Sequence, residues 1–156
     1  MNNHKGKISG NFIERVKGLL DQGRAQEAME FVNHLGQETA PIKNARGVCL
    51  LRLGRAEAAV SEFREITFRG FMCIPSDTPV VYQTNFATAM LITNQKTGAI
   101  EIINGLDGNK HPAVAKVKAA IDKWKEGLNP LQRFLCKIGV YPGKAVPIDF
   151  VPGDLQ

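Results

Sequence analysis

Three histidines, three cysteines and a run of cations are the side chains of this chain that could do chemistry. Acid–base or metal chemistry needs imidazoles close to one another, or to carboxylates and thiolates at ligand spacing. His4 stands in a polar terminus, His111 in a turn-like stretch, and His34 far from both. Cys49, Cys73 and Cys136 form no CxxC and no Cys/His spacing, so neither a zinc site nor a disulfide framework is expected. Cys49 falls among apolar residues at helical spacing, which favours a buried thiol over a nucleophile. GxSxG, the phosphate-binding GxxxxGK[ST] and HExxH do not occur. The expectation is a protein that is not an enzyme, with no catalytic residue, no metal and no cofactor.

The cations lie mostly in the last third. Lys110, Lys116, Lys118, Lys123, Lys125, Arg133, Lys137 and Lys144 face only Asp122 and Glu126 over that stretch, so the local excess is greater than the net +5 of the whole chain. Such a surface would suit nucleic acid, an anionic membrane or an acidic protein. A solvated helix face is its ordinary role, and Lys116, Lys118, Lys123 and Lys125 mostly avoid the apolar stripe of their helix.

These residues need elements to position them. A chain of 156 residues with 44% hydrophobic content suits a single domain, 1–156, with a core of its own. The opening MNNHKGKISGNF lacks the apolar centre of a signal peptide, and no stretch approaches the roughly 18 apolar residues of a membrane span. With the unpaired cysteines, this gives the expectation of a cytoplasmic protein.

Residues 1–9 are polar and expected to be loose. From about Asn11 apolar residues recur at helical spacing: Phe12, Val16, Leu19 and Leu20, then after Gly23, Ala28, Met29 and Val32. Pro41 opens a second unit, broken at Gly54, and Ala56, Ala59, Val60, Phe63 and Ile66 line its second helix. Arg69–Pro79 holds two prolines and a glycine and reads as a connection. Val81 to Met90 and Ala99 to Leu106 form a third pair around the turn-like TNQKTG. Pro112 starts a strong helix through Leu128, and Pro130 a short one to about Ile138. Residues 139–156 hold three prolines and three glycines, yet Val146, Ile148, Phe150 and Val151 are too apolar for a free linker.

The three pairs align. Ala28, Ala59 and Ala99 each have an apolar residue four positions on, at Val32, Phe63 and Ile103. Five positions before them stand Gly23, Gly54 and Asn94, residues that tolerate the left-handed conformation of a tight turn. Twelve positions before stand Val16, Gly47 and Ala87. This pattern resembles the tetratricopeptide repeat, a helix–turn–helix unit of about 34 residues. The middle unit fits best, with Gly47, Leu50, Ala59 and Phe63 at the family's positions. Lys43 replaces its tryptophan, and the alanine spacings of 31 and 40 residues depart from the period.

The resemblance implies an all-α fold. It would be a right-handed superhelical stack of antiparallel helix pairs, an α-solenoid, over 11–106, with capping helices at 112–138 and an extended tail at 139–156. It also implies a protein-interaction scaffold whose concave groove, lined by the first helix of each pair, binds a peptide or partner protein. Carried over by position, the groove candidates are Ile13, Lys17 and Leu20, then Asn44, Val48, Leu51 and Arg52, then Asn85, Thr88 and Leu91. Ile13 and Lys17 depart from the lysine/asparagine/arginine set with which some members grip a C-terminal carboxylate, so chaperone tails are not expected as ligands. Two alternatives are a basic adaptor docking on nucleic acid or an anionic membrane through 110–144, and a secretion-chaperone-like role, against which the basic charge counts. The segment VPIDFVP could also fold back into the groove of its own chain or of a neighbour. The oligomeric state is left open.

Overall fold

Three turns of one geometry organise the chain. In a computed structural model, which describes the backbone of residues 3–156 and side chains from Phe12 onward, Gly23, Gly54 and Asn94 have φ of 74°, 73° and 63°. At each turn two backbone N–H groups reach back to the helix just ended. Gly54 and Arg55 donate to the carbonyls of Leu51 and Leu50, Gly23 and Arg24 to Leu20 and Leu19, and Asn94 and Gln95 to Leu91 and Met90. This double bond pattern satisfies orphan carbonyls at a helix end and requires a left-handed residue there. Glycine adopts it without strain, and asparagine is the side chain that tolerates it best.

The turns join α1 (Asn3–Asp21) to α2 (Ala25–His34), α3 (Ala40–Arg52) to α4 (Ala56–Phe68), and α5 (Val80–Ile92) to α6 (Lys96–Gly105). Two more helices follow, α7 (Pro112–Glu126) and α8 (Pro130–Lys137), and no strand occurs among the described residues. The fold is all-α. Helix α1 begins at Asn3 rather than near Asn11, because extending an established helix costs far less than starting one. Residues 1 and 2, part of the stretch expected to be loose, lie outside the described residues. The connection 69–79 is non-helical as expected, entered through Arg69 and Gly70 at positive φ and tied by an ion pair between Arg69 and Asp77.

From α1 to α7 each helix packs on the next in sequence, and the odd-numbered helices also pack in order, α1 on α3, α3 on α5 and α5 on α7. Small residues allow the close approach. Ala28, Ala59 and Ala99 are fully buried, and a Cβ at Gly47 would stand 2.5 Å from the Phe63 ring. Phe63 therefore fills the space that Gly47 leaves, as side chains in a dense core do. Lys43, at the tryptophan position, reaches outward instead and pairs with Glu65.

Helix α7 closes the stack. Its Val114, Val117, Ala120, Ile121 and Trp124 are buried, and Lys116, Lys118 and Lys123 are exposed. His111 caps its start, its Nδ1 accepting from the Ala113 N–H at 3.2 Å, which gives that imidazole a structural task. Helix α8 starts on a reciprocal cap between Asn129 and Gln132 but leaves Leu131, Phe134 and Ile138 about 60% exposed or more. No helix among the described residues is long and apolar enough to cross a membrane.

Candidate functional site: a groove holding an extended segment

The odd-numbered helices turn one face toward residues 146–156, which carry neither helix nor strand. The tail is fastened first at α7. The Trp124 indole N–H donates to the Lys144 carbonyl at 3.0 Å, Val146 is buried, and Lys123 pairs with Asp149 at 2.7 Å. That ion pair holds the Asp149 carboxyl below the usual carboxylate range. Ile148 and Phe150 then pack on the core, while Pro147, Asp149 and Val151 between them are exposed. This alternation is the period of an extended chain laid along a surface.

At Pro152 the chain enters the groove. The Arg52 guanidinium donates through Nε to the Pro152 carbonyl at 2.7 Å and through Nη2 to the Gly153 carbonyl at 3.4 Å. Gly153 lies on Val48 of α3. Asp154 is then held by its main chain. The Asn85 carboxamide donates to its C=O at 2.7 Å and accepts from its N–H at 2.8 Å. A carboxamide carries a donor and an acceptor side by side, so one asparagine satisfies both backbone groups of one residue. Asn44 supports the arrangement from α3. Its Nδ2 donates to the same carbonyl at 3.3 Å, and its Oδ1 accepts from Asn85 at 2.8 Å. The Asp154 carboxylate faces Lys116 of α7 at 3.4 Å. Beyond Gly153 a cleft of about 140 Å³ continues between Lys17, Leu20 and Asp21 on one side and Leu155 and Gln156 on the other.

The residues carried over from the repeat pattern divide into two groups. Asn44, Val48, Arg52 and Asn85 meet the tail, and Lys17 and Leu20 line the cleft at its end. Leu51 and Leu91 are buried in the core, Thr88 donates to the Thr84 carbonyl of its own helix, and Ile13 packs half-buried on the core. Residues outside that set also take part, among them Lys116, one of the cations of the basic surface, and Pro152, Gly153 and Asp154 of the tail. The signal for the tail was the apolar segment VPIDFVP, which ends at Pro152 and reads as able to fold back into a groove.

The chain was compared with protein-family models, with curated proteins and with solved structures. It matches none of them.

The basic surface is largely engaged. Lys116, Lys118 and Lys123 pair with Asp154, Asp107 and Asp149, while Lys125 lies with Arg133 and Lys137 around a hollow of about 380 Å³ beside α8. A larger hollow, about 1080 Å³, opens between α4, α6 and the 69–79 connection, and none of the groove residues lines it. Cys49 is buried, and burial raises its thiol to about 12, so it stays protonated. Among the described residues no three His, Cys, Asp or Glu side chains gather as metal ligands would.

Proposed function

We propose that this chain is a protein–protein interaction scaffold: a tetratricopeptide-like, right-handed stack of antiparallel helix pairs whose groove binds an extended segment of a peptide or partner protein. One observation carries the reading. Asn85 clamps the N–H and C=O of a single residue while Arg52 takes the two carbonyls before it, so the groove grips main chain. Main-chain capture gives affinity for an extended segment of any origin, and side-chain fit adds selectivity. The three matching turns at Gly23, Gly54 and Asn94 support the repeat architecture. The reading assigns no catalytic residue and no cofactor, and it takes the protein to be cytoplasmic, a compartment in which three free thiols persist.

A pull-down from source lysate, at low and high salt, tests it. The bait is the full chain, set against an Arg52→Glu, Asn85→Ala variant that melts cooperatively. The expected result is a partner that survives high salt and is lost by the variant. A partner that washes off with salt and ignores the groove changes would contradict the reading. It would favour the second one, docking on nucleic acid or an anionic membrane through 110–144. That alternative draws support from the exposed Leu131, Phe134 and Ile138 beside Arg133 and Lys137 on α8.

A further inference from the structure

We infer that the groove selects extended segments of the sequence class Pro-Gly-acidic-aliphatic, and that the chain's own Pro152–Leu155 is an exchangeable occupant which such a segment of a partner replaces. This rests on the proposed groove function and adds the ligand class and the competitor.

Each position of the bound segment meets a different demand. Beside the first, Arg52 offers only donors, so a residue without an N–H leaves nothing unpaired there. The second admits glycine alone, for two independent reasons. Its φ is 87°, and a Cβ would stand 2.9 Å from Val48 Cγ1 and 3.1 Å from Cγ2. The third is clamped through its main chain by Asn85, with Lys116 beside its carboxylate. The fourth packs half-buried on the core. Val151, which precedes the segment, is 63% exposed and is not read.

The same geometry makes the occupant removable. The tail's permanent fastening lies upstream, at Trp124–Lys144 and buried Val146. Residues 147–151 touch the body through half-buried Ile148 and Phe150 and the exposed Asp149–Lys123 pair, and so form a tether from which 152–156 can come away. Detaching 152–156 uncovers the groove lining at Asn44, Val48 and Asn85 and leaves the contacts between helices in place. A tethered segment competes at an effective concentration on the order of millimolar, so a free ligand binds the wild-type chain weakly until that competitor is disabled.

The test uses the full chain and a fluorescent peptide of the sequence 146–156, read by anisotropy. Gly153→Val should expel the tail and bind the peptide at least tenfold more tightly than wild type. Adding Asn85→Ala should abolish that gain. A peptide with valine in place of its glycine should not bind, and one with lysine in place of the aspartate that follows the glycine should bind several-fold more weakly. If Gly153→Val melts non-cooperatively, Asp154→Lys, which sets like charge beside Lys116, serves to free the tail. A scrambled peptide bound as tightly as the native one would overturn the ligand class and leave the groove reading standing. Equal, tight binding by wild type and variant would overturn the competition. No binding of any peptide to a folded variant with a freed tail would overturn both the inference and the groove reading.

Discussion

Replacing Asn85 by alanine isolates the main-chain clamp. The side chain makes three hydrogen bonds, two to Asp154 and one to Asn44. A protein hydrogen bond contributes about 0.5–1.5 kcal/mol net, and an orphaned buried partner costs more. The Asp154 carbonyl keeps Asn44 at 3.3 Å, whereas its N–H loses its partner. The expected loss is therefore about 2 kcal/mol, near the lower half of the three-bond range. It falls first on docking of the tail, since two of the three bonds go to Asp154 and the third braces Asn44, which donates to the same carbonyl. A loss of about 2 kcal/mol corresponds to roughly 30-fold faster amide exchange at Asp154, if exchange proceeds by local release. If the tail belongs to the global unfolding unit, the melting temperature falls by about 4–8 °C as well. The assay is hydrogen exchange read by NMR, with Thr88→Ala as control, because that hydroxyl bonds within its own helix. An Asp154 amide that exchanges within twofold of wild type in Asn85→Ala would refute the reasoning.

Other changes bear on the fold and on single groups. Gly54→Asn should be nearly neutral in a thermal melt, since Asn94 fills the same left-handed position in the third pair; Gly47→Ala should cost about 1–3 kcal/mol by forcing the Phe63 ring aside. In a thiol-labelling assay of native protein, exposed Cys73 should react promptly, and Cys49, raised to about 12 by burial, only on unfolding. The Asp149 carboxyl has a lowered value in the fold, from its hydrogen bond and charge pairing with Lys123. Its contribution is thus present above about pH 4 and is lost as pH falls through the lowered value. The protection factors of tail amides, taken against the intrinsic rate at each pH, should fall there, and Lys123→Gln should remove that acid sensitivity. The effect should be small and fade with salt, because both partners are exposed.

The parts of the fold that were legible in sequence are those fixed by local rules. Gly23, Gly54 and Asn94 announced left-handed turns because few residues tolerate that backbone. Ala59 and Gly47 announced close packing because only small residues permit it, and Phe63 sits in the space expected of it. Of the residues carried over by position, the polar Asn44, Arg52 and Asn85 are the ones that hydrogen-bond the tail. At Leu51 and Leu91 the apolar side chains are buried in the core, and Thr88 is buried and bonded within its own helix. The start of α1 was missed because its first turns carry no apolar period. The tail's apolar character and its capacity to fold back into a groove were visible in VPIDFVP, but the partner of each tail residue was not. Its contacts with α3 and α5 join residues 69 to 110 positions apart, and no local pattern encodes a pairing of that span.

The central claim is that the face of α1, α3 and α5 binds an extended main chain in the manner of residues 152–154. A chemical-shift titration of the labelled full chain with excess unlabelled 146–156 peptide tests it most directly. The account predicts that the signals of Pro152–Asp154 move to positions typical of free chain and that intermolecular NOEs join the peptide to Val48 and Asn85, while groove signals change little because the peptide remakes the same contacts. Peptide-induced shifts centred elsewhere, or tail signals that stay in place while the peptide saturates, would contradict it.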